Sequence, residues 1–213
     1  STISGLNLII DNVKLSTELI GEFNAYNLLT AYSVAIELGQ DKSKVLKCLS
    51  IINSPPGRFS IIRSTKGAIG IVDYAHTPDA LKKVILCISD FCSINKDLIV
   101  VVGCGGNRDR GKRSIMGRIA SENSFLPIFT SDNPRTEDPI SIIDEMCTDL
   151  STVLQNKVKI LINREEAIEY AVDSSTENSI ILIVGKGHEK FQEIGCKKLP
   201  FDDFKILQKL LKK

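Results

Sequence analysis

No apolar run in the sequence approaches the roughly 18 residues that a helix needs to cross a bilayer, and the N-terminus has no basic segment followed by an apolar one. A cytoplasmic protein without a membrane partner is expected. An excess of one charge is also missing. The 27 lysines and arginines against 26 acids leave a net charge of +1, so no global field favours nucleic acid or anionic lipid, and any anion site must be local. Metal-ligand spacing is absent as well. The six cysteines, Cys48, Cys87, Cys92, Cys104, Cys147 and Cys196, form no C-x-x-C pair and do not cluster with the two histidines. No metal site is expected. Reduced, mostly buried thiols are, because a chain of 213 residues with its own core does not need disulfides.

What is present fits a globular protein: 43% of residues are hydrophobic and 25% charged, with Ile, Leu and Val spread along the whole length, which argues against disorder. Residues 1–19 read as one or two strands around an Asp11-Asn12 turn. Asn24 can cap a helix whose apolar positions Ala25, Leu28, Leu29, Tyr32 and Ile36 follow the helical period, with Gly39 as its stop. A shorter helix follows from an Asp41 cap through Val45, Leu46 and Leu49. Ser54-Pro55-Pro56-Gly57 then interrupts the pattern and suggests a domain boundary. Residues 1–56 hold two helices and little sheet, and read as the tail of a larger domain. Residues 57–213 read as a domain of their own.

In that second part, Phe59 to Ile62 and Ile69 to Val72 can pair as a hairpin across Ser64-Thr65-Lys66-Gly67. Apolar runs Leu98 to Val102, Leu126 to Thr130, Val158 to Ile162 and Ile180 to Val184 then alternate with amphipathic segments. The pattern predicts βαβ units and a Rossmann-like, mostly parallel sheet flanked by helices, of the α/β class. Thr77-Pro78 and Asp138-Pro139 each place a capping residue before a proline suited to the first helical position.

Ligands of such sheets bind at the carboxyl ends of the strands, where helix N-termini present unpaired N–H groups. The segments expected there are Asp73 to His76, Gly103 to Asp109, Ser131 to Arg135, Asn163-Arg164 and Gly185 to Glu189. Both histidines of the chain, His76 and His188, fall in them, although polar loops are common at any strand end and His76 could simply cap the next helix. Gly106-x-x-x-x-Gly111-Lys112 resembles a phosphate loop, but Arg113 stands where Ser or Thr would ligate magnesium. Gly103-x-Gly105 starts a dinucleotide pattern, but Arg108 occupies the third glycine position, which leaves little for a nicotinamide oxidoreductase. Arg108, Arg110, Lys112 and Arg113 could hold a carboxylate or phosphate, or form a solvated basic helix start. Asp132 and Glu189 suit an ammonium group, and acids with arginines in one crevice fit a zwitterionic amino acid, the alternative being an ordinary surface ion-pair network.

The ordered segments Gly57-Arg58-Phe59, Asp73-Tyr74-Ala75-His76-Thr77-Pro78-Asp79-Ala80, Gly103 to Asp109 with Gly111-Lys112-Arg113, Asp132-Asn133-Pro134-Arg135-Thr136-Glu137, and Gly185-Lys186-Gly187-His188-Glu189 resemble the Mur ligases, in the branch that adds meso-diaminopimelate. Phe23 to Leu29 resembles the end of that family's central ATPase domain. The resemblance implies three domains in a complete ligase, of which this sequence carries the C-terminal, amino-acid-binding domain (57–213) and the end of the ATP-binding one (1–56). It implies a pocket for meso-diaminopimelate at Arg108, Asp132, Asn133, Pro134, Arg135, Gly185 and Glu189, with Arg135 at the distal carboxylate that lysine lacks. Asn27, Arg58, Asp73 and His76 are implied to face ATP. Asn107 stands where an aspartate is common in the family. ATP and Mg2+ are the implied cofactors, and UDP-N-acetylmuramoyl-dipeptide is the implied partner through domains not in this sequence, which a separate chain could carry. The family's phosphate loop, magnesium-binding acids and modified lysine have no counterpart here, so no catalytic residue is assigned and the chain alone is expected not to turn over. The competing reading is a non-catalytic binding or assembly module derived from a truncated ligase.

Overall fold

The computed structural model of the protein describes residues 5–91 and 97–212. Two compact units divide the chain, Ser1–Pro55 with Cys87–Phe91 and Pro56–Leu86 with Cys92–Lys213.

The first unit opens with an antiparallel hairpin of β1 (Leu6–Ile10) and β2 (Val13–Thr17). Asp11 and Asn12 turn it with φ of 46° and 66°, the left-handed pair that matches strand twist in a two-residue hairpin. Helix α1 (Glu22–Glu37) starts from Gly21 rather than Asn24; Asn24 lies inside its first turn, where its amide donates to the Ile20 carbonyl. At the other end Gly39, with φ 75°, donates to Ile36 O and Gln40 to Ala35 O, the double bond of a Schellman stop. Asp41 caps α2 (Lys42–Ser50) by accepting from Lys44 N. Leu28, Tyr32, Leu46 and Leu49 from these helices bury against Leu6, Ile10 and Leu15 of the hairpin. Leu29, expected on the same face, is half exposed.

The second unit is built on a six-stranded sheet in the order β3-β4-β8-β5-β6-β7, formed by β3 (Ser60–Arg63), β4 (Ile69–Asp73), β5 (Asp97–Val102), β6 (Leu126–Phe129), β7 (Lys159–Ile160) and β8 (Ser179–Val184). Only β3 runs antiparallel, through the hairpin to β4. The crossovers are α3 (Pro78–Phe91), α4 (Gly111–Glu122), α5 (Pro139–Cys147) with α6 (Thr152–Lys157), and α7 (Arg164–Asp173). Thr77 caps α3 through Ala80 N, so His76 is free of that duty, and Asp138 caps α5 through Ile140 N. Strand β8 is buried along its whole length, as a near-continuous apolar run at the centre of a two-faced sheet should be. Ile181 and Ile183 of β8 pack with Val72, Ile99, Val101 and Ile128 against Ala167 and Ile168 of α7.

Three further features differ from the sequence expectation. Edge strand β7 keeps two ladder residues of the five in its apolar run, although Leu161 N still donates to Phe129 O and Ser131 N to Ile162 O beyond it. The chain after Glu189 adds an unforeseen hairpin, β9 (Phe191–Ile194) with β10 (Lys197–Pro200), and a helix α8 (Asp203–Leu211). Helix α8 lies on β4 at Gly70, where a Cβ would come within 2.7 Å of the Leu207 and Leu211 side chains. The thiols are also not mostly buried: Cys48 on α2 and Cys196 in the β9–β10 turn are exposed, Cys147 is intermediate, and Cys87 and Cys104 are buried. Cys92 lies outside the described residues. No helix among the described residues is long and apolar enough to cross a membrane.

Candidate functional site

The loops that leave β4, β5, β6 and β8 at their carboxyl ends surround a cavity of about 370 Å³. Its shape follows from how two of these loops interlock. Gly106 N donates to Asn133 O, and a Cβ on Gly106 would sit 1.9 Å from Pro134 O, so only glycine lets the backbones approach this closely. Asn107, with φ 52°, accepts from Thr136 N and Thr136 Oγ1 at 3.3 and 2.9 Å, and its own N–H donates to Glu137 Oε1.

Arg113 stands behind this seam and is completely buried. It donates to Glu137 at 2.9 and 3.0 Å, to Glu145 at 2.9 Å and to Gly105 O at 3.2 Å. Arg110 pairs with Glu145 as well. Both guanidiniums are thus paired with glutamates of the protein; Arg110 stays exposed at the helix start, while Arg113 is neither solvated nor open to a ligand. The bonds from Arg113 and from Asn107 N–H hold the Glu137 carboxyl down at about 2. Lys112 Nζ donates to His76 O at 2.7 Å and also lines the cavity. Arg108 lines it too, exposed and without a hydrogen-bond or salt-bridge partner among the described residues.

Asp132 follows β6, buried and lining the cavity, and no donor among the described residues reaches its carboxylate. Burial pushes its pKa up, against the attraction of Arg164 and Lys186. Asn133 is committed within the protein: Nδ2 donates to Glu189 Oε2 at 2.9 Å, while Oδ1 accepts from Lys186 Nζ and Glu193 N, each at 2.9 Å. Pro134 contributes its carbonyl to the seam and to Glu137 N, and is not among the lining residues. Arg135, at φ 52°, faces the cavity with its guanidinium held by Glu193 Oε2 at 3.0 Å and Gly106 O at 2.7 Å. From β8, Gly185 has φ 109°, and a Cβ there would lie 2.4 Å from Asp132 Oδ2. Lys186 turns into the interior and binds Glu189 Oε2 at 3.0 Å. Burial raises the Glu189 pKa, but the Asn133 and Lys186 bonds and the charges of Lys186 and His188 outweigh it and hold it below the usual range.

On the β4 side, both oxygens of Asp73 bind backbone, Oδ2 accepting from Phe59 N at 2.8 Å and Oδ1 from Ala75 N at 2.7 Å. Burial raises its pKa in spite of these bonds and the Arg58 charge. Tyr74 gathers Arg58 at 4.9 Å from its ring centroid, His76 at 4.7 Å and His188 at 5.1 Å. Arg58, Asp73 and His76 are thus neighbours around one tyrosine. Asn27 belongs to the other unit, on α1, where its amide donates to Asn24 Oδ1.

The sequence reading did not select Lys186, Glu193 or Tyr74. A lysine between two glycines, Gly185 and Gly187, both at positive φ, is the signal that a turn aims a long side chain inward. Glu193 gave no signal, because β9 itself was not recognised.

Comparison with known proteins agrees with this architecture. A family model described as "Mur ligase, glutamate ligase domain" matches residues 57–187. The UDP-N-acetylmuramoyl-L-alanyl-D-glutamate--2,6-diaminopimelate ligase of Cytophaga hutchinsonii is 47% identical over 211 residues, 99% of this chain and 43% of that protein. The enzyme of the same name from Lactiplantibacillus plantarum is 43% identical over 197 residues, 92% of this chain and 39% of that one. A solved structure of a ligase of that name superimposes with a TM-score of 0.71 at 34% identity, over 99% of this chain and 43% of the other. The UDP-N-acetylmuramate-alanine ligase of Thermotoga maritima, 17% identical with a TM-score of 0.66 over 99% of this chain and 43% of its own, shares the fold. The chain therefore spans less than half the length of these relatives. With the family model covering more than half of its residues and the strand-end loops meeting in one crevice, the chain belongs to the Mur ligase family.

Proposed function

We propose that this chain is the acceptor-binding part of an ATP-dependent amide ligase that joins meso-diaminopimelate to UDP-N-acetylmuramoyl-L-alanyl-D-glutamate in peptidoglycan precursor synthesis. The observation that carries the reading is the charge pattern of the crevice: the unpartnered Asp132 carboxylate and Glu189 stand with Arg108 and Arg135 around one cavity. A diamino dicarboxylic acid presents the complementary set, two ammonium groups and two carboxylates. Asp132 and Glu189 take an ammonium, Arg108 and Arg135 the carboxylates, and Gly185 leaves the space beside Asp132 empty of side chain. Asn133 and Pro134 act by shaping the loop. Arg135 at the distal carboxylate selects against lysine, which would leave the guanidinium without that anion. The names of the relatives in Cytophaga hutchinsonii and Lactiplantibacillus plantarum support the same substrate.

We assign residues 1–56 to the end of an ATP-binding domain and 57–213 to the acceptor domain, with Arg58, Asp73, His76 and Asn27 on the ATP side. Since Asp73 spends both oxygens on backbone, its part there is to hold the turn that presents Tyr74 and His76. ATP, when bound, supplies the phosphoryl group that activates the precursor's D-glutamate side-chain carboxylate. This chain's residues hold the attacking amine in place, and positioning of that kind carries a large share of such a barrier. On this reading Mg2+ accompanies ATP, with most of its ligands assigned to the family's ATP-binding domain. Calorimetric titration of the chain with meso-diaminopimelate and with L-lysine tests the proposal. Arg108→Ala, which breaks no hydrogen bond or ion pair among the described residues, should weaken meso-diaminopimelate by about tenfold to a hundredfold. Equal affinity for the two amino acids, or for wild type and Arg108→Ala, would overturn it.

A further inference from the structure

Lys186 has no exposed side-chain surface, and a lysine is buried at a cost unless its nitrogen is fully engaged. Its Nζ reaches Asn133 Oδ1 at 2.9 Å and Glu189 Oε2 at 3.0 Å, and it stands 5.6 Å from the centroid of Phe191. Both hydrogen-bond partners, Asn133 and Glu189, line the cavity. We propose that Lys186 is a positioning residue of the acceptor pocket, fixing the orientation of the Asn133 amide and leaving Glu189 Oε1 as the oxygen presented to the ligand's ammonium. The proposal rests on the acceptor-site reading above.

The hydrogen-bond pattern decides the orientation. Asn133 Oδ1 accepts from two donors, Lys186 Nζ and Glu193 N, so an amide turned the other way would set NH2 against both. With oxygen on that side, Nδ2 faces Glu189 Oε2 and donates to it at 2.9 Å. Glu189 Oε2 thereby receives two donors, while Oε1 receives none among the described residues, and the side chain keeps 22% of its surface exposed. Asp132 is likewise without a donor, so the crevice offers two carboxylates to a cation from two different strands. Removing Lys186 takes away one of the two donors that orient Asn133 and the nearest cation to Glu189.

The charged and titratable groups around Glu189 are Lys186 and His188 on its own loop, Asp132 beyond β6, and Arg164 at the start of α7. Lys186 is the only one of them hydrogen-bonded to it. Its loss should therefore raise the pH at which Glu189 becomes protonated, and a protonated Glu189 no longer attracts an ammonium. A compact ammonium on a flexible stem suits two acceptors on different loops, where the planar fork of arginine does not.

The test compares wild type with Lys186→Met and with Lys186→Gln, the latter uncharged but able to keep one donor if the methionine variant does not fold. The Glu189 carboxyl is titrated by carbon NMR without ligand, and meso-diaminopimelate binding is measured by calorimetry from pH 8 down to the onset of acid unfolding. Glu189 should titrate at higher pH in the variants. Affinity at neutral pH should fall by about tenfold or more, with the deficit growing as pH is lowered. An unchanged Glu189 titration with affinity within about twofold of wild type overturns the role of Lys186. If wild type binds no meso-diaminopimelate, the acceptor reading fails, while the ligand-free titration still decides whether Lys186 governs Glu189.

Discussion

Removing the Asp203 carboxylate should open the second unit more than any single change at its surface. Arg164, first residue of α7, and Asp203, first of α8, are both fully buried and joined by two parallel bonds of 2.8 Å, Nε to Oδ1 and Nη2 to Oδ2. Nη2 also donates to Val184 O at 2.9 Å, on the last residue of β8 before the Gly185 turn. In Asp203→Ala that carbonyl is the sole remaining bond among the described residues, since Nη1 already has no partner there. An uncompensated buried guanidinium costs about 3–5 kcal/mol. For a unit of this size that is a fall in melting temperature of about 6–20 °C. Arg164→Met with Asp203→Leu removes both charges, and because desolvation offsets much of a buried pair's attraction, the double variant should recover to near wild-type stability or above it. Native-state hydrogen exchange at the β8 amides measures the opening of this unit in all three proteins. A cost below about 1 kcal/mol for Asp203→Ala, or a double variant as unstable as the single one, would refute the assignment of a buried, mutually dependent pair.

Three further outcomes follow from the crevice. Gly185→Ala combines a φ of 109° with a Cβ 2.4 Å from Asp132 Oδ2, so meso-diaminopimelate affinity should be lost with a stability cost of about 1–3 kcal/mol; binding unchanged by that substitution would mean Asp132 does not border the ligand. Glu137, held at about 2 against an ordinary 4.5, adds stability that is complete above pH 4.5 and lost as pH falls toward 2. Melting temperature should drop more steeply over that range in wild type than in Glu137→Gln, and parallel curves would contradict the Arg113 seam. Cys104 is buried 3.8 Å from Met116 Sδ with its thiol pushed up to about 12 by burial, so iodoacetamide at pH 8 should label exposed Cys48 and Cys196 first; mass spectrometry finding Cys104 equally reactive would place it elsewhere.

The parallel sheet was legible because buried strands are continuous apolar runs: Ile180 to Val184 and Leu98 to Val102 each became a strand within a residue of expectation. Capping chemistry was legible at Asp41 and Asp138, whose side chains accept from the first turn, and misleading at Asn24, where the helix had already begun from Gly21, a weaker capping residue with no side chain to donate to. The strand-end loops were legible as a group, but not the division of labour within them. Arg108 and Arg113 look alike in sequence; one is exposed at the cavity and the other is buried behind it, because Glu137 and Glu145 arrive from a distant loop and helix. Partners 24 to 60 residues apart, such as Arg113 with Glu137 or Asn133 with Glu193, leave no local pattern. The β9–β10 hairpin escaped notice for a related reason: Phe191 to Ile194 and Lys197 to Pro200 lack a clean apolar alternation, since β10 is exposed throughout.

Occupation of the crevice at the ends of β5, β6 and β8 by a diamino dicarboxylic acid is the central proposal. Backbone amide NMR of the chain, titrated with meso-diaminopimelate, tests it most directly. Saturable shifts should concentrate at Gly103 to Lys112, Asp132 to Arg135 and Gly185 to Glu189, with L-lysine shifting them far less at equal concentration. Shifts centred on the opposite edge of the sheet, around Ser64 to Lys66 and Ser175 to Glu177, or identical shifts with L-lysine, would contradict it.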